Sequence, residues 1–174
     1  NTCLEIVRTS GIEGINARNI ASVLGCSTQP IFSNFKSMEE LEEEAVLAAY
    51  QIYLDFIKRE AESEKYPKYK AFGMAYIRFA REEKELFKLL FMRDRRGEDL
   101  SPSPDFDESV EWIMLTNGIT REKAMLMHLE MWSCVHGIGV MLATSFLPLD
   151  EELISRITSD IYWGVRSRIL EEAN

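Results

Sequence analysis

Residues 16–41 read NARNIASVLGCSTQPIFSNFKSMEEL, and this stretch carries the strongest structural pattern in the chain. A helix-turn-helix needs a small residue where its helices cross, a glycine in the turn, and apolar residues that hold the second helix in place. Ala21 is the small residue, and Gly25 lies in the predicted turn. The expected apolar contacts are Ile20, Leu24, Cys26 and Ile31. The pattern therefore predicts two short helices joined by a tight turn.

The first turn of the second helix is the part that a helix-turn-helix presents to the major groove of DNA. Gln29 can form paired hydrogen bonds with adenine, and Thr28 and Ser33 can each donate or accept one. Pro30 offers an apolar face to a thymine methyl group, and it is tolerated because first-turn amides have no partner within the helix. These four side chains are the predicted base readers. Plain packing of two short helices is the alternative, so the flanking residues matter.

The string IASVLGCSTQPIFSNFKSMEEL at residues 20–41 resembles the helix-turn-helix of the TetR family of regulators, I-A-x-x-x-G-V-S-x-x-x-[IL]-[YF]-x-[HY]-F-x-[SN]-K-E-E-L. The resemblance covers roughly residues 3–47 and includes the spacing, the glycine, the aromatic positions and the following helix start. It implies a three-helix DNA-binding domain followed by a larger helical domain that binds an effector and forms a dimer.

The chain departs from this family pattern at three positions that can contact phosphate. Phe32 stands where the family often has tyrosine, Asn34 where it has histidine or tyrosine, and Met38 where it has lysine. Phe32 lacks the hydroxyl and Met38 lacks the charge, so other groups must hold the DNA backbone. The candidates are Arg18, Asn34, Lys36 and the first-turn amides near Asn16 and Ala17.

Charge limits how this chain can bind nucleic acid. The formal net charge of −9 argues against a general nucleic-acid coat, whose affinity comes from many basic contacts with phosphate. Residues 1–38 hold three basic and two acidic side chains, whereas residues 39–64 hold two basic and nine acidic ones. DNA binding must therefore be local to the N-terminal unit. The acidic run at 39–44 predicts a solvated helix face.

Helical periodicity continues through the rest of the chain, and no alternating run of β-branched and polar residues predicts a strand. We expect an all-α fold with a helix-turn-helix DNA-binding domain at 1–45 and a helical ligand-binding and dimerisation domain at 46–174. The predicted helices span residues 1–10, 17–24, 28–34, 38–64, 67–81, 83–94, 106–117, 121–146 and 150–172. Residues 95–104, RRGEDLSPSP, predict a solvated connector.

Several helix starts have a residue whose side chain can accept a hydrogen bond from a first-turn amide. They are Asn16, Ser27, Ser37, Thr120 and Asp150. Ser37 is followed three residues later by Glu40, which predicts a capping box.

The two histidines are the natural place to look for chemistry. His128 and His136 lie eight residues apart on one predicted helix, hence on nearly the same face. The nearby Glu130 and Cys134 give no recognised metal-binding spacing, and no base and nucleophile form a defined motif. We expect no catalytic residues, no metal and no cofactor. An all-helical enzyme, or a small-molecule carrier using a C-terminal pocket, is the alternative to a regulator.

Residues 132–139, WSCVHGIG, contain W-x-x-x-H-G, which resembles a motif in the C-terminal domains of one TetR subgroup. It implies that Trp132, His136 and Gly137 lie at an interhelical contact near a ligand cavity or the dimer interface. A hydrogen-bonded core position is the alternative for His136. Gly137 and Gly139 would be explained by the close approach of another helix, since glycine is unfavourable within helices.

The middle of the chain is rich in aromatic and methionine side chains, which suit an adaptable pocket for an apolar or aromatic effector. The wider set includes Phe72, Met74, Phe79, Met92, Met114, Met125 and Met127. The predicted pocket residues are Phe87, Phe91, Trp112, Met131, Trp132 and His136.

The last predicted helix has an apolar residue every four positions, which predicts a stripe that must be covered. The residues are Leu153, Ile157, Ile161, Val165 and Ile169, with Tyr162 and Trp163 beside them. The family resemblance implies that the last two helices pair with those of a second copy, and a two-fold dimer would match a palindromic operator. The predicted interface residues are Ile157, Ile161, Trp163 and Val165, and packing within one chain is the alternative.

Cellular context follows from three smaller observations. Cys3, Cys26 and Cys134 are scattered, which fits a reducing compartment. The longest apolar stretch, 132–147, is shorter than the roughly 20 residues of a membrane span and predicts a buried helix. The chain starts without methionine in a predicted helix, so we expect the true N-terminus upstream. We therefore expect a cytoplasmic bacterial regulator, with double-stranded operator DNA, a small-molecule effector and a second copy as partners, and no membrane.

Overall fold

The computed structural model describes residues 2–94 and 104–172, and within these segments it is all-helical, with nine α-helices, one short 3₁₀ helix and no strand. The predicted all-α class is confirmed. The helices are α1 (Thr2–Ser10), α2 (Ala17–Leu24), α3 (Gln29–Asn34), α4 (Met38–Glu62), α5 (Lys68–Glu82), α6 (Lys84–Phe91), α7 (Pro104–Asn117), α8 (Arg121–Ala143) and α9 (Glu151–Glu171). The 3₁₀ helix is Ile12–Gly14. The predicted connector lies outside the described residues up to position 103, and its last residue, Pro104, begins α7.

Side-chain caps fix the start of four helices as predicted. Each cap accepts a hydrogen bond from the backbone amide three residues on, over 2.8–3.4 Å, because that amide has no partner in the helix. The caps are Asn16, Ser37, Thr120 and Asp150.

Two predicted caps differ from the structure. Ser27 does not cap α3, which begins one residue later with Thr28 at the N-cap position and no side-chain bond there. At α4, the Glu40 carboxylate accepts from the backbone N–H of Lys36 rather than from that of Ser37. The capping box is therefore displaced by one residue.

Helix α8 ends at Ala143, three residues before its predicted end. Ser145 adopts a left-handed φ of 56°, which stops the helix and leaves Phe146 and Leu147 exposed. The predicted buried helix at 132–147 is thus half right, since α8 buries one face and exposes the other. By length and composition α8 could also cross a membrane, although 33% of its most apolar window is buried inside the structure.

Two apolar clusters fill the interior. The first runs continuously from α1 through α6 into α8 and the start of α9, so the N-terminal helices share a core with the C-terminal part. The second lies between α7, the start of α8 and the end of α9. Helix α5 is central, packing against α4, α6 and α8. The predicted domain boundary at residue 45 falls inside α4, which both halves share.

Candidate functional site

A tight turn joins α2 to α3. Gly25 has φ 65° and ψ 31°, a left-handed conformation that glycine adopts without a Cβ clash. The Cys26 N–H donates to the Ala21 carbonyl over 3.0 Å, and the Gly25 N–H donates to the Ser22 carbonyl over 3.3 Å. This pair of bonds is the Schellman arrangement that ends many helices. Four residues, 25–28, then separate the end of α2 from the start of α3 at Gln29.

Apolar residues on the inner side hold α2 and α3 in the first cluster. Ile20, Ala21 and Ile31 are buried there, as predicted. Leu24 and Cys26 are exposed, so their predicted role as contacts is wrong. Helix α3 is six residues long and buries only Ile31, which leaves it too short to cover the last residue of α2 and the turn.

The predicted base readers lie on the outer side of α3. Gln29, Pro30 and Ser33 are exposed, and Thr28 is half-buried. The Ser33 hydroxyl donates to the Gln29 carbonyl over 2.9 Å. The exposed Asn34 side chain donates its amide to the Pro30 carbonyl over 2.7 Å. Ser33 and Asn34 therefore have a donor engaged by α3 itself, whereas the Gln29 side chain is exposed.

A groove of about 530 Å³ separates the start of α2 from α3 and the start of α4. Its lining residues are Asn16, Ala17, Arg18, Asn19, Phe32 and Met38. The groove thus brings the predicted phosphate-contacting groups of α2 next to Phe32 and Met38, the two apolar residues that replace tyrosine and lysine of the family pattern. The Ala17 side chain is buried and can contribute only its backbone amide, whereas Arg18 is exposed.

Basic side chains are few on this surface. Residues 2–38 contain Arg8, Arg18 and Lys36. Arg8 is engaged by Glu5 and Glu83, which leaves Arg18 and the exposed Lys36 facing solvent. This surface therefore carries little positive charge.

The predicted pocket residues divide between two places. Phe87, Phe91 and Tyr76 pack with ring centroids 4.8–5.2 Å apart. His136 lies over Phe87 at 6.1 Å and is stacked on Trp132 at 4.9 Å, with a 12° angle between the latter two rings. These contacts link α5, α6 and α8.

One predicted pocket residue lies apart from this group. Trp112 belongs to the second cluster, where it stacks on Tyr69 at 5.6 Å. Met131 is buried on α8. Of the wider set, Met92 and Met125 are exposed.

Both histidines make equivalent hydrogen bonds between α5 and α8. His128 Nδ1 lies 3.0 Å from the Tyr69 hydroxyl, and His136 Nδ1 lies 2.8 Å from the Tyr76 hydroxyl. Burial lowers the pKa of each imidazole below its usual value and raises the pKa of each phenol. A neutral imidazole can accept the tyrosine hydroxyl proton at Nδ1, and both histidines are hydrogen-bonded between packed helices.

The α8 glycines differ from each other. A Cβ at Gly139 would lie 2.8 Å from Phe87 Cζ, which confirms the predicted close approach of another helix. A Cβ at Gly137 would meet nothing within 4 Å, so no described helix of the same chain approaches Gly137 closely.

An apolar surface covers the outer side of α8, and we call it the α8 apolar face. It consists of Met125, Leu126, Leu129 and Trp132. Leu129 and Trp132 are 55% and 44% exposed, and the open side of Gly137 continues the surface. This face was not predicted from the sequence, although its residues have the three- and four-residue spacing of one helix side.

The predicted dimer residues on α9 are partly engaged within the chain. Ile157, Ile161 and Val165 are half-buried, and Trp163 is 58% exposed. Beyond them, Leu153 is exposed and Ile169 is fully buried in the second cluster. A repeat of four advances about 40° per step around a helix, so these residues spiral from one face to another. The predicted single stripe on α9 is therefore wrong.

Across residues 2–94 and 104–172, no three His, Cys, Asp or Glu side chains are placed to hold a metal ion.

Comparison with known proteins gave no matching family model, and no curated protein sequence is significantly similar to this chain.

Proposed function

We propose that this chain is a DNA-binding transcriptional regulator of the TetR type, a repressor that leaves a palindromic operator when a small apolar or aromatic effector binds. One observation carries the proposal: Gln29 and Pro30 stand exposed in the first turn of α3, while Ile31 anchors the opposite side in the core. This is the arrangement by which a helix-turn-helix inserts its second helix into the major groove. The TetR-like motif at residues 20–41 supports it independently.

The groove at the start of α2 supplies a second contact. The backbone amides of Ala17 and Arg18 have no acceptor within the helix and suit a phosphate oxygen, whereas the Asn19 amide is capped by Asn16. Arg18 in the groove and Lys36 after α3 add the positive charge. Phe32, in place of the usual tyrosine, packs its ring along the groove wall, so phosphate binding rests on Arg18, Lys36 and the α2 amides.

The same proposal includes a two-fold dimer through α8 and α9. The α8 apolar face and Trp163 together present large apolar side chains that a single chain leaves uncovered. Gly137 and Gly164 are open on these helices and would let a second pair of helices approach closely. A dimer would present two α3 helices, one to each half-site of the operator.

The dimer can be tested with one charge in the apolar face. Leu129→Glu should convert the dimer into monomers in sedimentation velocity, because it buries an unpaired charge. Leu115→Glu on α7 is the matched control, since Leu115 is 79% exposed and lies outside the face. Equal behaviour of the two variants would contradict the proposed interface.

The effector would act on the aromatic contacts that link α5, α6 and α8. Phe87 and His136 lie inside, Trp132 reaches the surface, and Tyr76 ties them to α5. A ligand that prefers one arrangement of these helices changes operator affinity by its differential binding energy.

Selection from random-sequence duplex DNA tests the function as a whole. We expect the full chain to enrich a two-fold symmetric site. Failure to enrich any sequence would contradict operator binding and would turn attention to an enzyme or carrier, for which substrate turnover is the direct assay.

A further inference from the structure

A bidentate ion pair joins the helix-turn-helix unit (α1–α3) to the rest of the chain. The Arg8 guanidinium on α1 donates from Nε and from Nη2 to the two carboxylate oxygens of Glu83, over 2.8 and 2.7 Å. The two residues are 75 positions apart. Their side chains are 33% and 18% exposed, so solvent screens this pair less than a surface pair. Hydrogen bonding to Glu83 raises the pKa of Arg8, which stays charged.

Glu83 occupies a structural junction. It is the single residue between α5 and α6, and its φ of −120° and ψ of 56° break the helical path there. Helix α6 then buries Phe87 against Tyr76 and His136. The carboxylate that receives Arg8 is therefore fixed to the turn that sets the direction of α6.

The end of α1 also lies against α6. Gly11 follows α1 with a left-handed φ of 69°, and a Cβ there would lie 3.5 Å from Glu85 Oε2. Helix α1 packs on α6 as well as on α2 and α4. The ion pair thus adds to a contact in which α1 already packs against α6. Together, the packing and the ion pair restrict rotation of α1 on α6.

We propose that the Arg8–Glu83 pair is a latch that positions the helix-turn-helix unit on the α5–α6 junction and so sets DNA affinity. The inference rests on the proposed DNA-binding function. Arg8 and Glu83 are positioning residues, since Arg8 lies on α1 and Glu83 lies between α5 and α6, both outside α3 and outside the lining of the α2 groove. When the pair is formed, α1 holds one orientation. Helices α2 and α3 hold it too, because they share a core with α1. Without the latch the unit samples others, and operator affinity falls.

The latch is tested first without DNA, by hydrogen exchange of backbone amides in the full chain. Glu83→Gln should raise exchange in α1 and the 3₁₀ helix by about tenfold, as expected for loss of a charge-assisted hydrogen-bonded pair. Exchange in α8 should stay unchanged, which excludes global unfolding. Glu5→Gln is the matched control, because it removes the exposed Arg8–Glu5 pair and leaves the Glu83 contact.

Charge reversal distinguishes loss of the Arg8–Glu83 ion pair from a local effect of substituting either residue alone. Arg8→Glu alone should match or exceed the effect of Glu83→Gln, and Arg8→Glu combined with Glu83→Arg should restore slow exchange. Unchanged exchange in Glu83→Gln, or an equal rise in Glu5→Gln, would overturn the latch.

The DNA measurement follows on a selected site. Glu83→Gln should weaken binding by about tenfold, within the range of coupling between sites, and the reversed pair should restore it. A rise in α1 exchange with unchanged DNA affinity would overturn the positioning role. If the wild-type chain binds no DNA while the exchange results hold, the proposed function fails and the α1–α6 contact itself stands.

Discussion

Two tyrosine–histidine hydrogen bonds hold α5 and α8 together at the level of single residues. Tyr69 and Tyr76 are seven positions apart on α5, and their partners His128 and His136 are eight positions apart on α8. Each bond uses a neutral imidazole, because burial disfavours the charged form. The contact between the two helices should therefore depend on pH.

The pKa values of both histidines are lowered from 6.5 in the folded chain. The unfolded chain takes up these protons first as the pH falls below about 6.5, so the free energy of unfolding decreases from there toward the folded pKa. Urea denaturation at about pH 7.5 and pH 5.5 measures this loss. A variant with His128→Gln and His136→Gln keeps an acceptor at both positions and should lose less stability over this range. Equal losses in the two proteins would contradict the assignment.

Gly137 and Gly139 give a second test at single positions. Gly139→Ala should destabilise the chain by about 1–3 kcal/mol, because its Cβ would press on the fully buried Phe87 ring. Gly137→Ala meets open space within the chain and should stabilise α8 by about 1 kcal/mol through helix propensity. Urea denaturation in the Leu129→Glu background separates these effects from dimer contacts. Destabilisation of similar size in both variants would argue against the α6–α8 packing described here.

At the level of whole helices, local signals in the sequence predicted most of the fold. Asn16 as a cap and Gly25 as a stop predicted α2 at its observed bounds of 17–24, and the predicted helices at 67–81 and 83–94 placed the break between α5 and α6 to within a residue. The end of α8 was predicted too late, because Ser145 adopts a left-handed conformation that serine rarely adopts. The strong helical pattern of apolar residues continued past the true end.

Burial was harder to predict than helix position. Leu24 and Cys26 have the spacing of core residues and are exposed, because the short α3 does not reach them. On α9 the four-residue repeat looked like one face, yet Ile169 packs inside and Leu153 outside. Which apolar face is covered depends on the neighbours of a helix, and those neighbours are set by the tertiary fold. The α8 apolar face and the Arg8–Glu83 pair were missed for that reason.

For the whole molecule, the charge distribution predicts how DNA binding should respond to salt. Each chain offers Arg18 and Lys36, because Arg8 is engaged by Glu83. A dimer would then neutralise about four phosphates, which gives a slope of about −3.6 in log K against log salt. Anisotropy titrations at several salt concentrations measure the slope. A slope twice as steep would mean that basic residues outside the helix-turn-helix unit contact DNA.

The proposed DNA-binding function depends on base contacts by α3, and a substitution of Gln29 tests these contacts most directly. The measurement is fluorescence anisotropy of the full chain on a selected duplex against excess non-specific DNA, comparing Gln29→Ala with Gln51→Ala, a matched exposed glutamine on α4. We predict that Gln29→Ala weakens specific binding by about 1–3 kcal/mol, while Gln51→Ala leaves it unchanged. Equal affinity of the two variants for the selected site would contradict base reading by α3.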